Sequence, residues 1–155
     1  MPTDLPESKT PQVVGGFIRL MVAAGIGQWL DETMPYTPGM DPPGIISGPL
    51  PPELDSGLGV NPYPVMTDTE PGVDVLGIQV MIRTKGPRVD KAMAVADWLE
   101  ETFHGLDQQT FGGYNIPLIW RNSLANLGPN DDNNYQITDN YYMYIDVYRK
   151  AAENG

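Results

Sequence analysis

The chain has 155 residues, enough for one domain, and carries 20 acidic against 9 basic side chains for a net charge of −11. No Lys or Arg lies between Arg19 and Arg83, which argues against a duplex-binding surface, because affinity for nucleic acid comes mainly from neutralised phosphates. There is no cysteine, so disulfides, thiolate metal sites and cysteine nucleophiles are excluded.

Residues 1–10 hold two prolines and mixed charge and read as a flexible arm. Asp4 and Glu7 stand where a secretory leader would be basic, which weighs against a signal peptide. Thr10-Pro11 has the form of a helix start, with threonine as N-cap and proline at the first helical position. Val14, Phe17, Ile18, Met21, Val22 and Trp29 then fall on one side of a helix over 11–32. Gly15, Gly16, Gly25 and Gly27 each cost such a helix about 1 kcal/mol relative to alanine, so packing has to hold it. Asp31 and Glu32 at its C-terminal end oppose the helix dipole and also ask for a tertiary anchor. The apolar run Val13 to Leu30 is interrupted by Arg19 and glycines, and its uncharged part, Leu20 to Leu30, falls short of about 20 residues. No membrane association is expected, and the reading is a soluble protein.

From Met34 to Pro64 the composition changes to nine prolines and five glycines, with neither helical nor strand period. Residues 33–62 therefore read as an acidic Pro/Gly-rich loop or arm. A stretch this long without structure of its own is usually functional or disordered. One reading is a solvated linker. The other is an arm lying on another subunit, since stiff Pro-rich chain loses less entropy on docking. Ile45, Ile46, Leu50, Leu54, Leu58 and Val60 give such an arm something to bury.

Residues 63–149 read as a core of strand, strand, helix, strand, strand, followed by a tail at 150–155. Tyr63 to Thr67 is a short strand whose proline suits an edge. Between Val73 and Arg83, Leu76, Ile78, Val80 and Ile82 alternate with Val75, Gly77, Gln79, Met81 and Arg83, the period of a strand. From Arg88 to His104, Val89, Ala92, Met93, Ala96, Leu99 and Phe103 form a helical stripe, widened by Val95 and Trp98 and ended by Gly105. Gly112-Gly113 mark a turn before a strand at Tyr114 to Arg121, which Pro117 demotes to an edge or a bulge. Asn122 to Asn134 reads as loop. Tyr135 to Arg149 is a long strand with Tyr141, Met143, Ile145 and Val147 on one face and Tyr142, Tyr144, Asp146 and Tyr148 on the other. The sum is an α+β fold, a mainly antiparallel β-sheet with helices packed on one face and a long Pro-rich loop.

Little of the sequence advertises chemistry. His104 is the one histidine, and an exposed side chain near the end of a helix explains it without a catalytic role. Asn130-Asp131-Asp132-Asn133-Asn134 resembles a calcium loop but lacks the glycine and distal glutamate of an EF-hand, so a hydrogen-bonded turn is the better account. Gly112-Gly113 has neither the spacing nor the context of a phosphate loop. Tyr141, Tyr142, Tyr144 and Tyr148 could stack on bases, but without basic neighbours they suit strand pairing or a protein interface.

Leu76-Gly77-Ile78-Gln79-Val80 through Arg83, Ala96-Asp97-Trp98-Leu99 through Phe103-His104-Gly105-Leu106, Ile119 to Ser123, Leu127-Gly128, Asp131-Asp132 and Asp139-Asn140-Tyr141 together resemble the phage "minor capsid protein" family of tail terminators of long-tailed phages. The resemblance runs from about Gly57 to Val147. Two places depart from it: the Pro-rich segment Met34 to Leu58 is longer, and Asn133-Asn134-Tyr135 stands where the family often has a glycine and an arginine. The resemblance implies a tail-terminator or tail-tube-like fold and a structural virion protein, with no catalytic residue, metal or cofactor. It implies a ring, usually a hexamer, at the head-proximal end of the tail, ending tube polymerisation and joining the tail tube protein to the head connector or stopper protein. DNA would pass through the lumen without specific binding, and assembly would take place in the host cytoplasm. Ile45, Ile46, Leu50 and Leu54 of the arm and Tyr142, Tyr144 and Tyr148 of the last strand are the expected subunit or partner interface. A head completion or stopper protein of the neck is the nearest alternative. A small acidic enzyme or cation-binding module built on Asn130 to Asn134 is the alternative from another class.

Overall fold

Two strands with strict alternation organise the molecule. In the computed structural model, which describes residues 8–31, 33–70 and 72–150 and the side chains of all of these but 66–70 and 147–150, β4 (Val73–Thr84) lies antiparallel to β7 (Tyr135–Lys150) along its whole length. Pairing Leu76 with Met143, Ile78 with Tyr141, Val80 with Asp139 and Ile82 with Ile137 puts these side chains on one face, and all are buried. The remaining strands are β1 (Gln28–Trp29), β2 (Gly44–Ser47), β3 (Gly57–Glu70), β5 (Asp107–Phe111) and β6 (Tyr114–Pro129). They complete a seven-stranded sheet in the order β1-β2-β3-β4-β7-β6-β5. The sheet is mixed and not purely antiparallel, because β2 runs parallel to both β1 and β3.

Two helices, α1 (Lys9–Ala23) and α2 (Val89–Phe103), cover the apolar face. Val13, Val14, Phe17, Ile18 and Met21 of α1 and Ala92, Ala96, Leu99 and Phe103 of α2 join the strand residues in one core cluster. The rings of Phe17 and Phe103 stack with centroids 3.9 Å apart, and Tyr141 lies beneath both at 6.1 and 5.9 Å. The glycines in α1 serve this packing: a Cβ on Gly16 would stand 2.4 Å from the Cβ of Phe111, so only glycine lets the helix approach β5 this closely.

Four expectations change. The first helix ends at Ala23 and not at residue 32, because Gly25 takes φ +80° and closes the turn. Its cap is Ser8, and Asp31 lies outside it; Glu32 and residues 1–7 and 151–155 lie outside the described residues. The stretch 33–62 is not without strands, since Gly44–Ser47 pairs with Leu58 to Val60 and buries Ile45 completely. Asn122 to Asn134 is not a loop throughout, because β6 continues to Pro129 on the ladder of β7, leaving 130–134 as the hairpin turn. Finally, Asp107–Phe111 forms an edge strand that its polar composition conceals. Pro117 does sit at a register shift, between Asn115 and Ile119, and β6 is an inner strand there.

Candidate functional site

A charged network is buried under α2. Arg121 of β6 donates from Nε and Nη2 to the two carboxylate oxygens of Asp139, at 2.8 and 3.0 Å. It also donates to Glu100 at 2.7 Å and to the Ala96 carbonyl at 2.8 Å. The Tyr141 hydroxyl completes the carboxylate's partners by donating at 2.9 Å. Burial by itself would favour a neutral guanidinium, and the Asp139 carboxylate reverses that, so Arg121 stays charged. Burial pushes the Tyr141 phenol up, and the neighbouring Asp139 charge adds to it. All five residues lie in or beside the segments that carry the family resemblance. The network fixes α2 onto the sheet.

His104 is exposed, and its Nδ1 accepts a hydrogen bond from the Arg121 amide at 2.9 Å. It caps one backbone group where β6 runs past β5. In the 130–134 turn, Asn130 Oδ1 accepts the amides of Asp132 and Asn134 at 3.0 Å each, and Asn134 Oδ1 accepts that of Gly86 at 3.0 Å. The Asn130 oxygen is thus committed to the turn itself, and the Asn134 oxygen ties the turn to the connection between β4 and α2.

The face of the sheet away from the helices carries the tyrosines. Register puts Tyr63, Gly77, Tyr142 and Trp120 in one row across β3, β4, β7 and β6. Gly77 has no side chain because Tyr63 lies over it: a Cβ there would stand 2.4 Å from that ring. Tyr142 meets Tyr63 at 6.4 Å and Trp120 at 5.8 Å between centroids, and Tyr144 meets Trp120 at 5.0 Å. Tyr142 is partly exposed and Tyr144 exposed, whereas Tyr148 lies outside the residues whose side chains are described. A strict alternation over Tyr114 to Arg121 would put Ile116, Leu118 and Trp120 on one face and Pro117, Ile119 and Arg121 on the other. The bulge resets it, so that Ile116 and Ile119 both face inward and Trp120 outward.

The Pro-rich stretch lies against its own chain. Arg83, buried on the same outer face, donates to the carbonyls of Pro51 and Leu54 at 2.8 and 2.9 Å and to Gln136 at 2.9 Å. The Tyr36 hydroxyl donates to Asp55. Ile45 and Leu50 are buried within the protomer, and Ile46 and Leu54 are half-buried. Nothing in the sequence singled out Arg83 as the residue that holds this segment.

Both sides of the sheet keep open backbone. Among the described residues, β3 pairs with β2 only over Leu58 to Val60, and from Asn61 to Glu70 it pairs with β4 alone. Likewise β6 is joined to β5 as far as Leu118 and pairs with β7 alone from Asn122 to Pro129, where Leu127 is half-exposed.

Aromatic area and open backbone edge characterise a protein that acts by contact, a structural component of an assembly. The assembly is a virus particle. The chain belongs to the bacteriophage tail terminator protein family, whose model matches residues 22–147. No curated protein matches it. Among solved structures, a chain from the virion of a native gene transfer agent particle is similar, with a TM-score of 0.54 at 11% identity, covering 65% of this chain and 76% of that one. At that identity the likeness shows a shared fold. The protein is thus a phage tail structural protein.

Proposed function

We propose that the protein forms a closed ring at the head-proximal end of a tail tube, ends polymerisation of the tube there and joins the tail to the head connector. The observation that carries the ring is the pair of open edges. The free part of β3 lies toward the Val73 end of β4 and the free part of β6 toward its Thr84 end, so the two are diagonally opposite on one sheet. Two different surfaces meet head to tail, and such contacts make a ring when the rotation closes. Strand direction agrees: β3 and β7 run one way, β4 and β6 the other, so β6 of one copy beside β3 of the next extends the antiparallel ladder. Six copies is the number the family resemblance implies.

The outer face with Tyr142 and Tyr144, continued by Tyr148 in the sequence, and the partly exposed Ile46 and Leu54 are the contact area for neighbours, the tube end and the connector. Leu50, beside Tyr63 and Met81, supports that face from inside, and Ile45 lies in the core on the helix side. A net charge of −11 suits a ring through which DNA moves without being held. The test is removal of the gene from the producing phage, with particles imaged by electron microscopy. Filled heads separate from tails of uncontrolled length are expected; normal attached tails would defeat the proposal.

A further inference from the structure

On the outer face of the sheet, where β2 leaves β3, lies a pocket of ≈ 420 Å³. Asn61, Tyr63, Gln79 and Arg83 give it polar walls, and Leu50 and Met81 apolar ones. Arg83 is only 7% exposed, yet it forms no ion pair among the described residues. Its Nε and Nη1 are spent on Gln136 and on the carbonyls of Pro51 and Leu54, while Nη2 has no acceptor among the described residues and is not sealed from water. A buried guanidinium with N–H groups to spare, in the wall of a pocket, points to an anion. One cation among amides and a phenol matches a single negative charge, that of a carboxylate. A chain of net charge −11 repels a free carboxylate, so the group has to arrive tethered to something that docks beside the pocket.

The open sheet edge supplies that tether. Asn61 and Pro62, in the pocket wall, are also the first residues of β3 that β2 leaves uncovered. When β6 of one copy runs antiparallel beside β3 of the next, Pro129 at the end of its open stretch comes beside Asn61. The 130–134 turn follows, and β2 bars it from continuing the ladder, so it passes over Pro49 and Leu50 at the rim of the pocket. Asp131 and Asp132 of that turn are exposed, and neither carboxylate has a partner among the described residues, while Asn130 holds the shape of the turn. The ladder needs an added tie at this end. The Gly48 amide bonds the Val60 carbonyl, so the even-numbered residues here turn their backbone groups to the edge, and the next two, Pro62 and Pro64, bring no N–H. We propose that Arg83 of each copy receives a carboxylate from the Asp131-Asp132 turn of its neighbour. The pairing rests on the ring reading above and adds the opposite-charge contact by which copies of like net charge adhere.

Arg83 also holds the Pro-rich segment, so the test changes the acids. Because each copy carries −11, neutralising two exposed acids at an unrelated place should strengthen assembly or leave it unchanged, whereas neutralising these two should weaken it. Asp131→Asn with Asp132→Asn is compared with Asp97→Asn with Glu101→Gln, which are exposed on α2, by native mass spectrometry over a dilution series. The first variant is expected to dissociate at a concentration at least on the order of tenfold above wild type, the second no higher than wild type, both with unchanged circular dichroism. Assembly of the first variant as strong as wild type overturns the proposal and leaves the ring; a wild-type chain that stays monomeric overturns the ring and this pairing together. The absence of cysteine allows a second measurement. A Pro49→Cys chain mixed with an Asp131→Cys chain and oxidised is expected to give a disulfide-linked pair that neither gives alone. A ring that assembles without that product also overturns the proposal.

Discussion

Arg121 and Asp139 show how a sequence motif becomes mechanics. Both lie in segments that carry the family resemblance, yet sequence alone gives no reason to join them, because 18 positions separate them and the bulge at Pro117 decides which way β6 faces. With the Arg121 side chain 16% exposed and that of Asp139 fully buried, truncating Arg121 leaves the Asp139 carboxylate as an uncompensated buried charge, and truncating Asp139 leaves Arg121 with the 46% exposed Glu100 as its remaining acidic partner. Arg121→Ala should therefore cost about 3–5 kcal/mol in urea unfolding, and Asp139→Ala less. Replacing both with apolar residues of similar size should cost less than the sum, which a double-mutant cycle reads directly. Asp31 carries a pH dependence of opposite origin, half-buried and held ionised by Thr33 and Met34. Its folded pKa is depressed, so its contribution to the Asp31–Met34 turn is complete above its unfolded value of about 3.9 and disappears as pH falls through the lower folded value. The Thr33 and Met34 amide resonances should show that transition, and Asp31→Asn should abolish it.

At the scale of elements, β4, α2 and β7 were legible because each has a long, unbroken period and buries one face, and their observed limits differ from the expected ones by a residue or so. Leu99 is fully buried in the cluster they share, so Leu99→Ala should cost ~2–5 kcal/mol in denaturant unfolding. Tolerance there like that of a surface site would overturn the packing. The elements that escaped reading lack such a period. β2 overlaps β3 by three residues, too few to show alternation, and β5 has a single buried side chain, Phe111, held by its approach to Gly16 of α1. β6 past Arg121 reads as loop because both of its faces are largely wet and its backbone is held by β7, a partner that local sequence does not display. The Pro-rich stretch was ambiguous for a further reason: its anchor, Arg83, lies 29 positions beyond Leu54. Arg83→Ala should raise amide exchange at Glu53 to Ser56 in the isolated protein while leaving β4 and β7 protected. Unchanged exchange would mean that the segment is held by something other than Arg83.

At the scale of the molecule, the question is what becomes of backbone that the protomer leaves unpaired. Exposed strand edges invite pairing with another chain, and natural proteins discourage it with edge lysines, proline or short strands. The free part of β6 has little such protection: from Asn122 to Gly128 it carries no charge and no proline, with proline only at its last residue, and Leu127 is 52% exposed. An edge left in that state fits one that is covered in use. Ala125 and Leu127 are exposed side chains on this edge, so Ala125→Lys with Leu127→Lys should change protomer stability by no more than about 0.5 kcal/mol each, the ordinary range for surface substitutions. It should nevertheless prevent β6 of one copy from joining β3 of the next. Native mass spectrometry of the wild-type chain is expected to show a closed oligomer, and of the double variant a folded monomer with unchanged circular dichroism. A ring that survives both lysines would place the subunit contact elsewhere, most directly on the tyrosine-bearing face. Loss of the ring together with loss of the fold would mean instead that this edge is needed within the protomer. The measurement thus separates an edge kept open for a neighbour from one that serves its own sheet.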